Sequence, residues 1–258
     1  MSWLGWQIAR STLQRRPSRH HYGPQPQQIC DLHLPRGPGP HPVAVVLHGG
    51  YWQPPYTKLI MRPMCVALTE RGYAAWNVEY RRLGRDGGGW PMTFDDVAAA
   101  IDLLDEIDDL DLDRVTLIGH SSGGQLALWA AGRPELPEGV PGAGPRVTGT
   151  RVLALAAVCN LHRAGRVAVE LLGGTPDDVP QRWTQADPMR RIPLGVPVGL
   201  VHGTHDGTVD VARSREYAVA AAAAGADATL IEVQGDHRAP IDPATAAWQA
   251  AAGWLGKA

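Results

Sequence analysis

A chain of 258 residues, 44% hydrophobic and 19% charged, has the make-up of an ordinary globule, and its formal net charge of −2 leaves no broad basic field for nucleic acid. Lys58 and Lys257 are the only lysines among 24 basic residues. Neither stands in the Gly-Lys-Ser/Thr context of a P-loop, and neither Lys257 near the chain end nor Lys58 in a Pro- and Tyr-rich loop suits a Schiff base.

In chain order, residues 1–21 read as a basic N-terminal arm. Arg10, Arg15, Arg16 and Arg19 precede any acid, and Trp3, Leu4, Trp6, Ile8 and Leu13 fit one side of a short helix. The charges follow a broken apolar run, which is not the order of a secretory leader. One domain is expected from residue 22 to 258. Ile29–Leu34 alternates like a half-exposed strand, and Val43–Leu47 is a continuous β-branched run, as in a buried strand. Leu59–Glu70 has a helical period and stops at Arg71-Gly72. Ala74–Glu79 is the next strand, and Thr93 opens a helix through about Ile107. Val115–Ile118 is a third buried strand, followed by a helix over Gln125–Ala131. Val152–Ala157 and Val198–Val201 are further strands. Ala212–Ala224, Thr229–Val233 and Pro243–Leu255 read as helix, strand and helix.

Such alternation, with hydrophobic strand runs, predicts an α/β fold: a mostly parallel central sheet with helices on both faces. Two stretches break the rhythm. Residues 133–149 are rich in Pro and Gly and read as an exposed loop. Residues 160–193 are long enough to form a small cap segment over one end of the sheet, or a loop with no substrate role. The acidic run Asp102–Asp113 lacks the Gly and Glu of a calcium loop, since those positions hold Arg114 and His120. It is expected to be a solvated helix end and loop. Cys30, Cys65 and Cys159 are far apart and match no zinc or disulfide spacing; three buried thiols in a reduced, cytoplasmic compartment are expected. No apolar run approaches the roughly 18 residues of a membrane span, so no membrane partner is expected.

The strongest chemical signal is Gly119-His120-Ser121-Ser122-Gly123. It matches G-x-S-x-G, with a strand before it and a helix after it. A nucleophile on so sharp a turn needs small residues on both sides. The amide of Ser122, at the helix start, then faces an oxyanion with partial positive charge. A second signal, His48-Gly49-Gly50-Tyr51-Trp52, directly follows the strand 43–47. Its glycines let backbone amides approach a ligand closely, so Gly49 and Gly50 are expected to complete an oxyanion hole with Ser122.

A serine nucleophile needs a base, and the base needs an orienting carboxylate, here in the order Ser, Asp or Glu, His. Only His237 follows the last strand. Asp206 lies just past the strand 198–201, where open sheets build sites. Asp210 is its main rival. Asp236 adjoins His237 and is badly placed to reach its Nδ1. The reading is Ser121 as nucleophile, His237 as base and acid, and Asp206 as orienter, with His202 and His205 as structural neighbours. Trp52, Trp90 and Trp183 come from three loops that could converge as aromatic walls of the site mouth. Tyr51 and His120, inside the two motifs, are assigned to substrate contact as well.

These motifs resemble the α/β-hydrolase superfamily from about Tyr22 to the end of the chain. His48-Gly49-Gly50-Tyr51-Trp52 is similar to the HGGxW box of kynurenine formamidases and their bacterial esterase relatives, and Asn77-Val78-Glu79-Tyr80-Arg81 to the strand end that follows it. The resemblance implies a serine hydrolase of small carboxylic esters or aryl-formamides, with no metal and no organic cofactor. Asp210 departs from it, since relatives often have Pro there. The alternative is a catalytically silent module of the same fold that binds a small ligand or partner.

Overall fold

A computed structural model describes residues 16–256. Most of the basic arm, including Trp3, Leu4, Trp6, Ile8, Arg10, Leu13 and Arg15, lies outside the described residues, as does Lys257.

Among these residues eight strands form one sheet: β1 (Ser18–His21), β2 (Ile29–His33), β3 (His41–Leu47), β4 (Ala74–Val78), β5 (Leu110–His120), β6 (Arg151–Leu155), β7 (Val198–Gly203) and β8 (Ala228–Val233). Their spatial order is β1-β2-β4-β3-β5-β6-β7-β8. The first two pairings are antiparallel and the remaining five are parallel. The described residues form seven α-helices: α1 (Arg62–Thr69), α2 (Met92–Asp102), α3 (Ser122–Ala131), α4 (Arg166–Leu172), α5 (Pro180–Ala186), α6 (Ala212–Ala223) and α7 (Ala246–Leu255).

The pleat sends alternate side chains to opposite faces. Val43, Val45 and Leu47 pack on one side with α2, α3 and α6; Ala44 and Val46 pack on the other with α1 and α7. Continuous apolar runs therefore become central strands, because both faces are covered. Helix α3 is buried along its whole length, which places the Ser121 turn at the centre of the molecule. No helix among the described residues is long and apolar enough to cross a membrane.

Several sequence expectations need correction. Residues 18–21, assigned to the arm, form β1 at the sheet edge. Arg19 reaches Asp31 of β2 at 2.9 Å. The strand was invisible because Ser-Arg-His-His carries no apolar alternation. Lys58 is not in an open loop. It is 3% exposed in the 3-10 turn Lys58–Met61, and its ammonium pairs with Asp31. Strand β5 begins at Leu110, inside the acidic run expected to be loop, and its register against β3 shifts between Pro42 and Val43. The three cysteines are free and buried, and burial pushes the Cys159 thiol up to about 12.

Candidate active site

Ser121 sits between the end of β5 and the start of α3 with φ 54° and ψ −118°. A positive φ is costly for any residue with a Cβ. Here the surroundings fix it: the Ser121 amide donates to Leu155 O at 2.9 Å, and its carbonyl accepts from Gly124 N and Val158 N, each at 3.0 Å. The flanking glycines are required sterically. A Cβ on Gly119 would run into the Gly123 carbonyl, and one on Gly123 into the Leu47 carbonyl. The amide of Ser122 is the first of α3, where helix amides have no intrahelical acceptor.

Across the sheet end, the loop after β7 carries Asp206 and the loop after β8 carries His237. His237 Nδ1 lies 2.7 Å from Asp206 Oδ2. Asp206 Oδ1 accepts from the amides of Thr208 (2.8 Å) and Val209 (2.9 Å), and Oδ2 also faces His202 Nε2 at 3.1 Å. Burial alone raises the Asp206 pKa. The bonds from His202, His237 and the two amides outweigh it and hold the carboxyl far below the usual range. Because Asp206 is an acceptor, His237 carries its hydrogen on Nδ1 and leaves Nε2 as the basic nitrogen. Asp210 is exposed and caps the Ala212 amide, and Asp236 accepts from Arg238 N and Ala239 N.

Gly49, Gly50, Tyr51, His120, Ser121 and His237 line one cavity of about 380 Å³. A Cβ on Gly49 would lie 2.8 Å from His120 Nδ1 and 2.9 Å from Ser121 Cβ, so this backbone passes as close to the serine as a chain can. The glycine loop is braced from below. His48 Nε2 is 2.8 Å from Glu79 Oε1, its carbonyl accepts from Tyr80 OH at 2.7 Å, and its ring stacks on Tyr80 at 4.3 Å. The Tyr51 hydroxyl donates to Thr208 O at 3.1 Å and so joins this loop to the Asp206 loop. His120 is buried and donates from Nε2 to the His237 carbonyl at 2.8 Å. Burial, helped by repulsion from His237, lowers its pKa to about 3, so it is a neutral ring in the cavity wall.

The three tryptophans do not converge on this cavity. Trp52 is fully buried and donates to Gln125 Oε1 at 3.2 Å. Trp90 packs on Phe94 at 4.9 Å, and Trp183 is buried with its indole N–H on the Gly174 carbonyl. No residue of 160–193 lines the cavity either. The walls come instead from residues the sequence did not single out: Tyr56, Ile60, Thr208, Arg238 and Ile241. Ile60 and Tyr56 follow the HGG motif closely, and Arg238 follows His237; their proximity in sequence was the available signal. Among the described residues no group of three His, Cys, Asp or Glu is arranged to hold a metal ion.

The BD-FAE family model matches residues 30–138, which include the glycine loop and the Ser121 turn. No curated protein matches the chain in sequence. Solved structures do. A truncated carbohydrate esterase from gut microbiota superposes with a TM-score of 0.76 at 19% identity, over 86% of this chain and 90% of that one. A bifunctional GH43-CE protein of Bacteroides eggerthii gives 0.77 at 21%, over 92% of this chain but 35% of its own. Esterase 2 of the planctomycete Thermogutta terrifontis, with butyrate bound, gives 0.73 at 22%, over 91% and 90%. The same esterase has also been solved phosphoramylated by tabun. The chain has the α/β-hydrolase fold.

Proposed function

We propose that this chain is a serine hydrolase that cleaves small carboxylic esters through an acyl-enzyme on Ser121. One observation carries the reading. A serine held at positive φ shares a cavity with a histidine whose Nδ1 is fixed by a buried carboxylate. Ser121 attacks the ester carbonyl while His237 Nε2 takes the hydroxyl proton. The amide of Ser122 and those of the Gly49–Gly50 loop face the developing oxyanion, where each donor is typically worth roughly 3 to 4 kcal/mol. His237 then protonates the departing alcohol. A water, deprotonated by the same nitrogen, releases the acid.

The carbohydrate esterase and the planctomycete esterase among the structural relatives support ester cleavage, and the modest cavity supports short acyl groups like the butyrate bound to the latter. Aryl-formamides are the second substrate class, resting on the sequence His48-Gly49-Gly50-Tyr51-Trp52 alone. Expected outcomes are turnover of p-nitrophenyl acetate and butyrate, covalent labelling by a fluorophosphonate, and loss of both in Ser121→Ala. Undiminished turnover in that variant overturns the proposal. N-formylkynurenine assayed on the same preparation decides between the two substrate classes.

A further inference from the structure

The carboxylate of Asp206 is held by more than the scheme above uses. Oδ1 is occupied by two amides, and Oδ2 is shared between His237 and a second histidine, His202 at the end of β7. The His202 side chain is wholly buried. Its Nε2 faces two acceptors, Asp206 Oδ2 at 3.1 Å and the Val209 carbonyl at 2.9 Å. A carbonyl and a carboxylate only accept, so this nitrogen carries the hydrogen. Its Nδ1 lies 2.7 Å from the hydroxyl of Ser214 in the first turn of α6, which donates to it when the ring is neutral. The ring is therefore clamped at both nitrogens.

We propose that His202 is a positioning residue for the hydrolytic reaction: by donating Nε2–H to Asp206 Oδ2, it fixes the lone pair that the carboxylate presents to His237. The inference rests on the hydrolytic reading of Ser121, His237 and Asp206. With Oδ1 taken by the Thr208 and Val209 amides, Oδ2 has two lone pairs and two histidine donors. Removing one donor lets the carboxylate plane tilt and makes Oδ2 more basic toward the other. The remaining titratable neighbours are engaged elsewhere. The Tyr51 hydroxyl is on Thr208 O, His120 is on the His237 carbonyl, and Glu232, opposite His202 in the β7–β8 register, pairs with Arg215. The Cys159 thiol lies 4.0 Å from Ser214 Oγ. Asp236 and Asp210 cap backbone amides of their own loops, and Arg238 is exposed.

Two substitutions separate positioning from packing, because the amide nitrogen of Gln mimics Nε2 of histidine and that of Asn mimics Nδ1. His202→Asn keeps a group toward Ser214 and loses the bond to Asp206. It is expected to lower kcat about ten- to a hundredfold, the range for a hydrogen bond to a charged group, with KM changed less than about twofold and the acid limb of the kcat/KM profile moved to higher pH. His202→Gln keeps the donor and is expected to restore most of kcat and the wild-type limb. Equal losses in both variants, or no loss in either, overturn the role of His202 while Ser121→Ala still abolishes turnover. Full turnover in Ser121→Ala overturns both readings together. Should the variants not fold, 1H–15N spectra of the wild-type protein report the His202 tautomer directly: Nε2–H is expected, and an Nδ1–H tautomer overturns the proposal.

Discussion

Ser121 is one residue, but the turn that holds it is sized by its neighbours. Gly49 lies against both His120 and Ser121, and His120 is locked by its bond to the His237 carbonyl. A methyl group at position 49 cannot be met by a retreating side chain, so the glycine loop itself must shift away from the serine. Gly49→Ala is expected to cost about a hundredfold in kcat, comparable to losing one oxyanion donor, with little change in KM. Steady-state kinetics on p-nitrophenyl butyrate checks it; wild-type kcat would show that this loop does not bear on the reaction. Reading by residue type alone picked out Gly49, Gly50, Ser121, Asp206 and His237, which the structure gathers at one end of the sheet, because candidates of this kind are marked by identity and order along the chain. The same reading misplaced Trp52, whose indole points into the core. A tryptophan beside a glycine loop has the same letter whether it faces ligand or packing, and only the path of the backbone, here φ 56° at Trp52 itself, decides.

Elements gain or lose stability through their ends and supports. The loop after β3 is held by the buried His48–Glu79 contact, and Glu79 also accepts the Lys58 amide at 3.0 Å. Burial raises the Glu79 pKa, but His48 and the hydrogen bonds around it outweigh this and keep the carboxyl below its ordinary value. Glu79→Gln removes the charge while keeping the shape. It is expected to cost about 1 to 3 kcal/mol, the range for hydrogen bonds involving a charged group, and to lower kcat as the glycine loop loosens. Urea unfolding measures the first effect. In contrast, α7 carries an exposed Gly253 whose missing Cβ faces open space. Gly253→Ala is expected to stabilise by about 0.5 to 1 kcal/mol through helix propensity, read as a higher urea midpoint with unchanged kinetics. Of the strands legible in sequence, β3, the second half of β5, β6 and β7 are apolar runs with no competing period, buried on both faces. Strand β1 was missed because Ser-Arg-His-His displays no apolar face, and the first half of β5 because its alternation Leu110-Asp111-Leu112-Asp113, which sets both leucines against the core, was read as part of an acidic run.

At the scale of the whole molecule, the site lies at one end of the sheet, while histidines at both ends contribute to its pH response. His120 in the cavity wall and His33 at the end of β2 are both buried, and burial lowers their pKa values to about 3 and about 4. In the unfolded chain a histidine titrates near 6.5. The folded pKa lies below the unfolded one, so unfolding takes up protons between these values. Stability is full above about pH 6.5 and falls as the pH drops toward 4. Each histidine contributes a slope of up to about 1.4 kcal/mol per pH unit in that window. Asp206 and Glu79 have depressed pKa values, so their contribution is present above the ordinary carboxylate range and is lost only below it. The acid response therefore has two parts, histidine first and carboxylate second. Urea unfolding at pH 7, 6, 5 and 4.5 is expected to show a steepening loss before any carboxylate of the site titrates. His33→Gln removes one of these two imidazoles and is remote from the cavity. It is expected to reduce the slope between about pH 6 and 5 and to leave kcat unchanged. An unaltered slope would mean that His33 finds a partner for its buried Nε2, which has none among the described residues, when it takes up a proton.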